Sequence, residues 1–120
     1  MLSSVTYTNA VILLPINPNQ SMNDFETILS DCVRKIKNNT ATNDDHYTLG
    51  LMYLNGRGVK VCTLTACSYF LRAANNNHTR SQVEYAKIMV SFNQMDYARA
   101  YLGRAALVND PEAIQLLNNI

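Results

Sequence analysis

Apolar residues along this chain fall into short stripes with a period near 3.6, which predicts helices almost throughout. In residues 21–37 the stripe is Phe25, Ile28, Leu29, Cys32, Val33 and Ile36. Ser21 suits the N-cap of that helix and Asp24 its first turn, while Arg34, Lys35 and Lys37 close its far end with the sign the helix dipole favours. A polar linker, residues 38–43, follows. Leu49, Gly50 and Tyr53 then share one side of a second helix, and Ala66, Tyr69, Phe70, Ala73 and Ala74 form a matching stripe on a third. Gly50 costs a helix about 0.5–1 kcal/mol relative to alanine, so its place there implies close packing. Gly56 and Gly58 bracket Arg57 where the chain must stop one helix, through a left-handed residue, and turn back.

Beyond the break at Asn75-Asn76-Asn77 the pattern returns in weaker form. Tyr85 and Ala86 take the places of Leu49 and Gly50, with Met89 in the place of Tyr53. Ala98, Tyr101, Leu102, Ala105 and Ala106 repeat the third-helix stripe. Thirteen residues separate Tyr85 from Ala98 and seventeen separate Leu49 from Ala66, so the second pair has lost a four-residue loop extension. Asp110-Pro111-Glu112 is a helix start, a capping aspartate before proline at the first helical position. Ala113 and Leu117 then open a last helix that reads as a lone half-repeat. Residues 1–20 carry Val5, Tyr7 and an apolar run before Pro15 and Pro18. They read as an extended arm covering one end of the helical stack, with an export or docking tail as the alternative.

Leu-Gly-x-x-Tyr followed by Ala-x-x-x-Phe is the tetratricopeptide signature of a helix–turn–helix unit. With the longer loop and its Gly-x-Gly-Val at Gly56, Gly58 and Val59, residues 44–78 resemble the Sel-1-like repeat, a relative of the tetratricopeptide repeat. The chain departs from that pattern at Asp45, Cys62 and Asn77, where the family favours alanine, aspartate and glycine. The resemblance implies an all-α fold, a short right-handed α-solenoid of antiparallel helix pairs. Its parts would be an N-terminal arm (1–20), a capping helix (21–38), repeat one (44–78), repeat two (79–109) and a C-terminal half-repeat helix (110–120), all in a single domain. In such proteins the first helix of each unit lines a concave face. The resemblance therefore implies a partner-binding groove built from Asp44, Tyr47, Leu51, Leu54 and Asn55 in repeat one. Arg80, Val83, Lys87, Val90 and Ser91 would extend it in repeat two. A peptide or helix with an apolar anchor and an acidic neighbour would suit that face. Leu51, Leu54 and Val90 could instead be covered by the arm or the first helix.

Length and charge narrow the picture. A chain of 120 residues makes one domain with a real core, and its net charge of +1 with 16% charged residues provides no basic footprint for nucleic acid. The longest apolar run is too short to cross a membrane and lacks the basic residues that open a secretory signal, so it is expected to belong to the mature protein. Cys32, Cys62 and Cys67 are an odd set that reads as free thiols in a cytoplasm. His46, His78, Cys62 and Cys67 fit no zinc spacing, and no cysteine has a base beside it, so neither a metal, a cofactor nor an enzyme is expected. The expected function is a small cytoplasmic adaptor, chaperone or immunity-type protein that holds a partner segment. The alternative is a structural repeat protein that associates with itself, for instance as a homodimer.

Overall fold

The computed structural model describes residues 22–120, which form six α-helices and, among the described residues, no strand. These are α1 (Met22–Lys37), α2 (Asn43–Asn55), α3 (Thr63–Asn75), α4 (Thr79–Ser91), α5 (Met95–Ala106) and α6 (Pro111–Asn119). The N-terminal arm and the Ser21 cap lie outside the described residues. The chain divides inside α3 into two units, one ending at Ala66 and the other being Cys67–Ile120.

Five helices end in the same way. Just past α1, α3, α4 and α5 stand Asn39, Asn77, Asn93 and Asn109, with φ of 58°, 67°, 59° and 64°. Gly56 does the same past α2 with φ of 70°. Glycine and asparagine are the residues that enter this left-handed region at least cost. Each is followed by an N–H that reaches back five residues, as from His78 to Ala73 O (3.0 Å), Gln94 to Met89 O (2.7 Å) and Asp110 to Ala105 O (3.2 Å). This is the Schellman closure, which satisfies carbonyls that the helix end would orphan. The residue that completes it also stands at the N-cap of the next helix: His78 for α4 and Asp110 for α6, whose side chains accept a first-turn N–H, and Gln94 for α5, whose side chain does not. Turn and cap are thus fused, and α3 to α6 begin at 63, 79, 95 and 111, one helix every sixteen residues. The α2–α3 connection is longer, seven residues (56–62) against three for α4–α5 (92–94), as the spacing predicts.

In the first unit α1 packs on α2. Phe25 and Cys32 are buried from α1, and Leu49, Gly50, Leu51 and Met52 are buried in succession from α2. Four consecutive positions at 100° apiece go round the helix, so α2 is enclosed on all sides at this turn, while Tyr47, Tyr53 and Leu54 nearer its ends stay half-buried. The connection folds back on these helices. Arg57 donates its N–H to Met52 O at 3.0 Å and Cys62 donates to Tyr53 O at 2.9 Å. Gly58, with φ of 76°, lies so close to α1 that a Cβ there would meet Phe25 Cβ at 2.8 Å.

In the second unit α5 packs on α4 and α6 packs on α5. The small residues Ala98 and Ala105 and the larger Leu102 face the interior of α5, and Ala113 that of α6. Tyr85 and Tyr101 meet edge to face with ring centroids 4.7 Å apart. Six successive residues of α4, from Ser81 to Ala86, are buried, three of them polar. Each of those three has a partner. Ser81 binds His78 Nδ1 at 2.8 Å, Gln82 Nε2 donates to Ala74 O at 3.2 Å, and Glu84 pairs with Arg80 and Lys87.

Candidate functional site

The groove positions of repeat one lie on α2. Asp44 is exposed, Tyr47 and Leu54 are half-buried, and Leu51 and Asn55 are buried. Leu51 is only 3% exposed, and the Asn55 amide donates to its carbonyl at 3.0 Å, closing a local bond inside the helix. Of the positions on α4, Arg80, Lys87 and Ser91 are exposed, Val90 is half-buried and Val83 is fully buried. Leu51, Asn55 and Val83 therefore belong to the interior and present no surface to a partner. The physical reason is the enclosure of α2 and α4 over consecutive residues, which a single apolar stripe does not foretell.

The two cations are also engaged. Lys87 Nζ is 2.7 Å from Glu112 Oε2 and 3.5 Å from Glu84 Oε2. Arg80 is 3.2 Å from Glu112, 3.6 Å from Glu84 and 3.8 Å from Asp110. Two positive groups thus meet three carboxylates from α4 and from the start of α6. Hydrogen bonding from Lys87, reinforced by Arg80, holds the Glu112 carboxyl below its usual range. The charge expected to select an acidic partner is spent within the fold.

The three departures from the Sel-1-like pattern each have a local task. Asp45 accepts the Thr42 N–H at 2.8 Å while Thr42 Oγ1 accepts its N–H at 3.2 Å, a reciprocal capping box at the start of α2. Its carboxylate also lies 3.4 Å from Lys35 of α1. Asn77 supplies the left-handed residue after α3. Cys62 stands at the N-terminus of α3, where its carbonyl accepts the Ala66 N–H at 2.9 Å and its thiol accepts from Thr65 Oγ1 at 3.1 Å. That hydroxyl, together with the Thr65 and Leu64 amides, pulls the thiol below its ordinary value. Desolvation pushes Cys32 and Cys67 the other way. The helix N-terminus gives Cys62 an electropositive setting that its neighbours in sequence do not announce. All three cysteines are free thiols.

Two arginines were also missed. Arg57, read as a turn residue, is 2% exposed, with its guanidinium 5.5 Å from the Phe25 ring centroid. Among the described residues its Nε and Nη2 have no hydrogen-bond partner, and burial lowers its affinity for the proton. Arg104 of α5 lies 5.1 Å from the Tyr101 ring centroid, and its Nη2 donates to Ala74 O at 3.1 Å and Asn77 Oδ1 at 3.2 Å. It borders a notch of about 340 Å³ whose other walls are Asn77, Thr79, Gln82, Leu107 and Val108. Their sequence signal is weak, since a lone arginine in a helix or turn reads as solvated.

His78 caps α4, accepting from the Ser81 N–H, and His46 lies in the first turns of α2. Among the described residues no group of three or more His, Cys, Asp or Glu side chains could hold a metal ion. No described helix is long and apolar enough to cross a membrane. No protein-family model matches the chain, and neither the curated proteins nor the solved structures contain a match to it.

Proposed function

We propose that the chain is a protein-interaction module of the Sel-1-like or tetratricopeptide-like kind, a short right-handed α-solenoid with α1 and α6 as its capping helices. It would hold a segment of a partner protein as a cytoplasmic adaptor, chaperone or immunity protein. The carrying observation is the sixteen-residue step of α3 to α6, with fused turn and cap at each junction. Such a step suits a stack of short helix pairs, in which one helix face of each pair would stay open to a partner. On those faces Asp44, Tyr47 and Leu54 of α2, and Arg80, Lys87, Val90 and Ser91 of α4, retain surface. Tyr47 is the natural anchor, because a half-buried ring adds contact area with little rotamer entropy to lose. The free thiols of Cys32, Cys62 and Cys67 support a reducing compartment.

Self-association is the second reading. Leu107 at 84% exposure and Val108 at 63% are the observation that favours it. Light scattering on the purified chain decides between the two. The interaction-module reading expects the mass of one chain over a wide concentration range. A concentration-dependent rise to two chains, abolished by replacing Leu107 and Val108 with asparagine, would favour the homodimer.

A further inference from the structure

The turn between α5 and α6 is built like the turn between α3 and α4, yet its chemistry is reversed. Thirty-two residues earlier the chain has Asn75 and Asn76, where this turn has Leu107 and Val108. Both turns reach the left-handed region through asparagine, at Asn77 and Asn109, and both close with the same five-residue backbone bond. Turn geometry therefore makes no demand for an apolar pair, and burial makes none either, since the two side chains are 84% and 63% exposed.

These side chains form one wall of the notch that Arg104 borders. The Arg104 guanidinium is held by neutral oxygens: Nη1 reaches Asn75 Oδ1 at 3.4 Å, and Nη2 reaches Ala74 O and Asn77 Oδ1. Tyr101 braces the same Asn75 Oδ1 at 2.6 Å. Among the described residues no carboxylate pairs with Arg104, in contrast to Arg80 and Lys87. Among the described residues these bonds use three of its five N–H groups, leaving the Nε–H and one Nη1–H. A fixed, unneutralised cation beside exposed aliphatic side chains is complementary to a carboxylate that has an aliphatic neighbour.

We infer that this notch is a docking site for a protein segment in which an aspartate or glutamate adjoins leucine or valine. The acid meets Arg104 and the aliphatic side chain covers Leu107 and Val108. This rests on the reading of the chain as a protein-binding module, but it uses the junctions of the second unit rather than the faces of α2 and α4.

The test is a titration of the full ¹⁵N-labelled chain with two capped peptides, acetyl-Gly-Leu-Glu-Val-Gly-amide and its glutamine counterpart, followed by amide shifts. The expected result is saturable shifts at Asn77, Thr79, Leu107 and Val108, about tenfold weaker binding of the glutamine peptide, and weakening by added salt. Replacing Leu107 and Val108 with asparagine, the residues of the earlier turn, should abolish the shifts while leaving the circular dichroism unchanged. Arg104→Lys keeps the charge and should retain part of the affinity, whereas Arg104→Gln should lose the preference for glutamate. Equal binding of both peptides, or the absence of shifts at the notch, would overturn the inference. Shifts confined to Tyr47 and Leu54 would overturn it too, while leaving the broader binding function intact. Loss of every peptide-induced shift together with a dimeric mass would count against both.

Discussion

Gly58 and Gly103 show how differently one residue type can be used. Gly58 is left-handed and pressed against Phe25, so Gly58→Ala should destabilise the fold by about 1–3 kcal/mol through strain and overpacking. Gly103 lies inside α5, and beyond the helix's own backbone no atom of the described residues comes within 4 Å of where a Cβ would be. Gly103→Ala should therefore stabilise by about 0.5–1 kcal/mol, the helix-propensity difference. Urea midpoints of the two variants check both signs. Cys62 supplies a chemical prediction at the same scale. With its thiol drawn down by Thr65 and the other two raised by burial, iodoacetamide near neutral pH should alkylate Cys62 first. Thr65→Val should slow that step, and equal labelling of all three thiols would contradict the account. The left-handed glycines of the loop were legible in the sequence, because Gly-Arg-Gly after an apolar stripe marks a turn. The burial of Arg57 was not, since its enclosure comes from a segment more than thirty positions away at Phe25.

The helices α2 to α5 were legible through periodicity and the glycines of the first loop, whereas α1 was marked also by Asp24 and its closing Arg34, Lys35 and Lys37, and α6 by Asp110-Pro111 at its start, as observed. What periodicity obscured was enclosure. In α4 the polar residues Ser81, Gln82 and Glu84 made a buried segment look amphipathic, and in α2 a run of apolar residues looked like core plus groove. The repeated asparagines at helix ends passed unread, although Asn77, Asn93 and Asn109 stand sixteen apart. Their role makes a direct prediction. Asn93→Ala should cost about 1 kcal/mol, because alanine has no way to relieve the left-handed conformation, while Asn93→Gly should be neutral within a few tenths. Thermal melts of the pair check it. Between α4 and α6 the ion pairs of Glu112 add a pH dependence. Its carboxyl is depressed in the folded state, so its contribution is full above the ordinary carboxylate value of 4.5 and is lost as the pH falls through the lowered one. Glu112→Gln should lower stability at neutral pH and flatten the acid limb of the stability profile. A variant that keeps the full acid dependence would show that other carboxylates carry it. The same network makes Lys87→Glu a poor probe of binding, because the new carboxylate would face Glu84 and Glu112.

At the scale of the whole molecule, the described residues are all-helical, six helices joined by short turns, and the periodicity of the apolar residues reached that level. The finer layout was less legible. The groove positions are what the family resemblance implies, and neither it nor residue spacing distinguishes a face open to solvent from one enclosed by neighbouring residues. Of the groove positions on α2, Tyr47 and Leu54 keep apolar surface, so the claim that this chain holds a partner segment concentrates on them. Site-specific photo-crosslinking tests it most directly. Benzoylphenylalanine is placed at Tyr47 and, as the control, at the exposed loop residue Lys60, and cells making each variant are irradiated. The account predicts a discrete adduct between position 47 and a different protein chain, with none from position 60. Equal adducts from both positions, or a crosslink from position 47 only to a second copy of this chain, would contradict it.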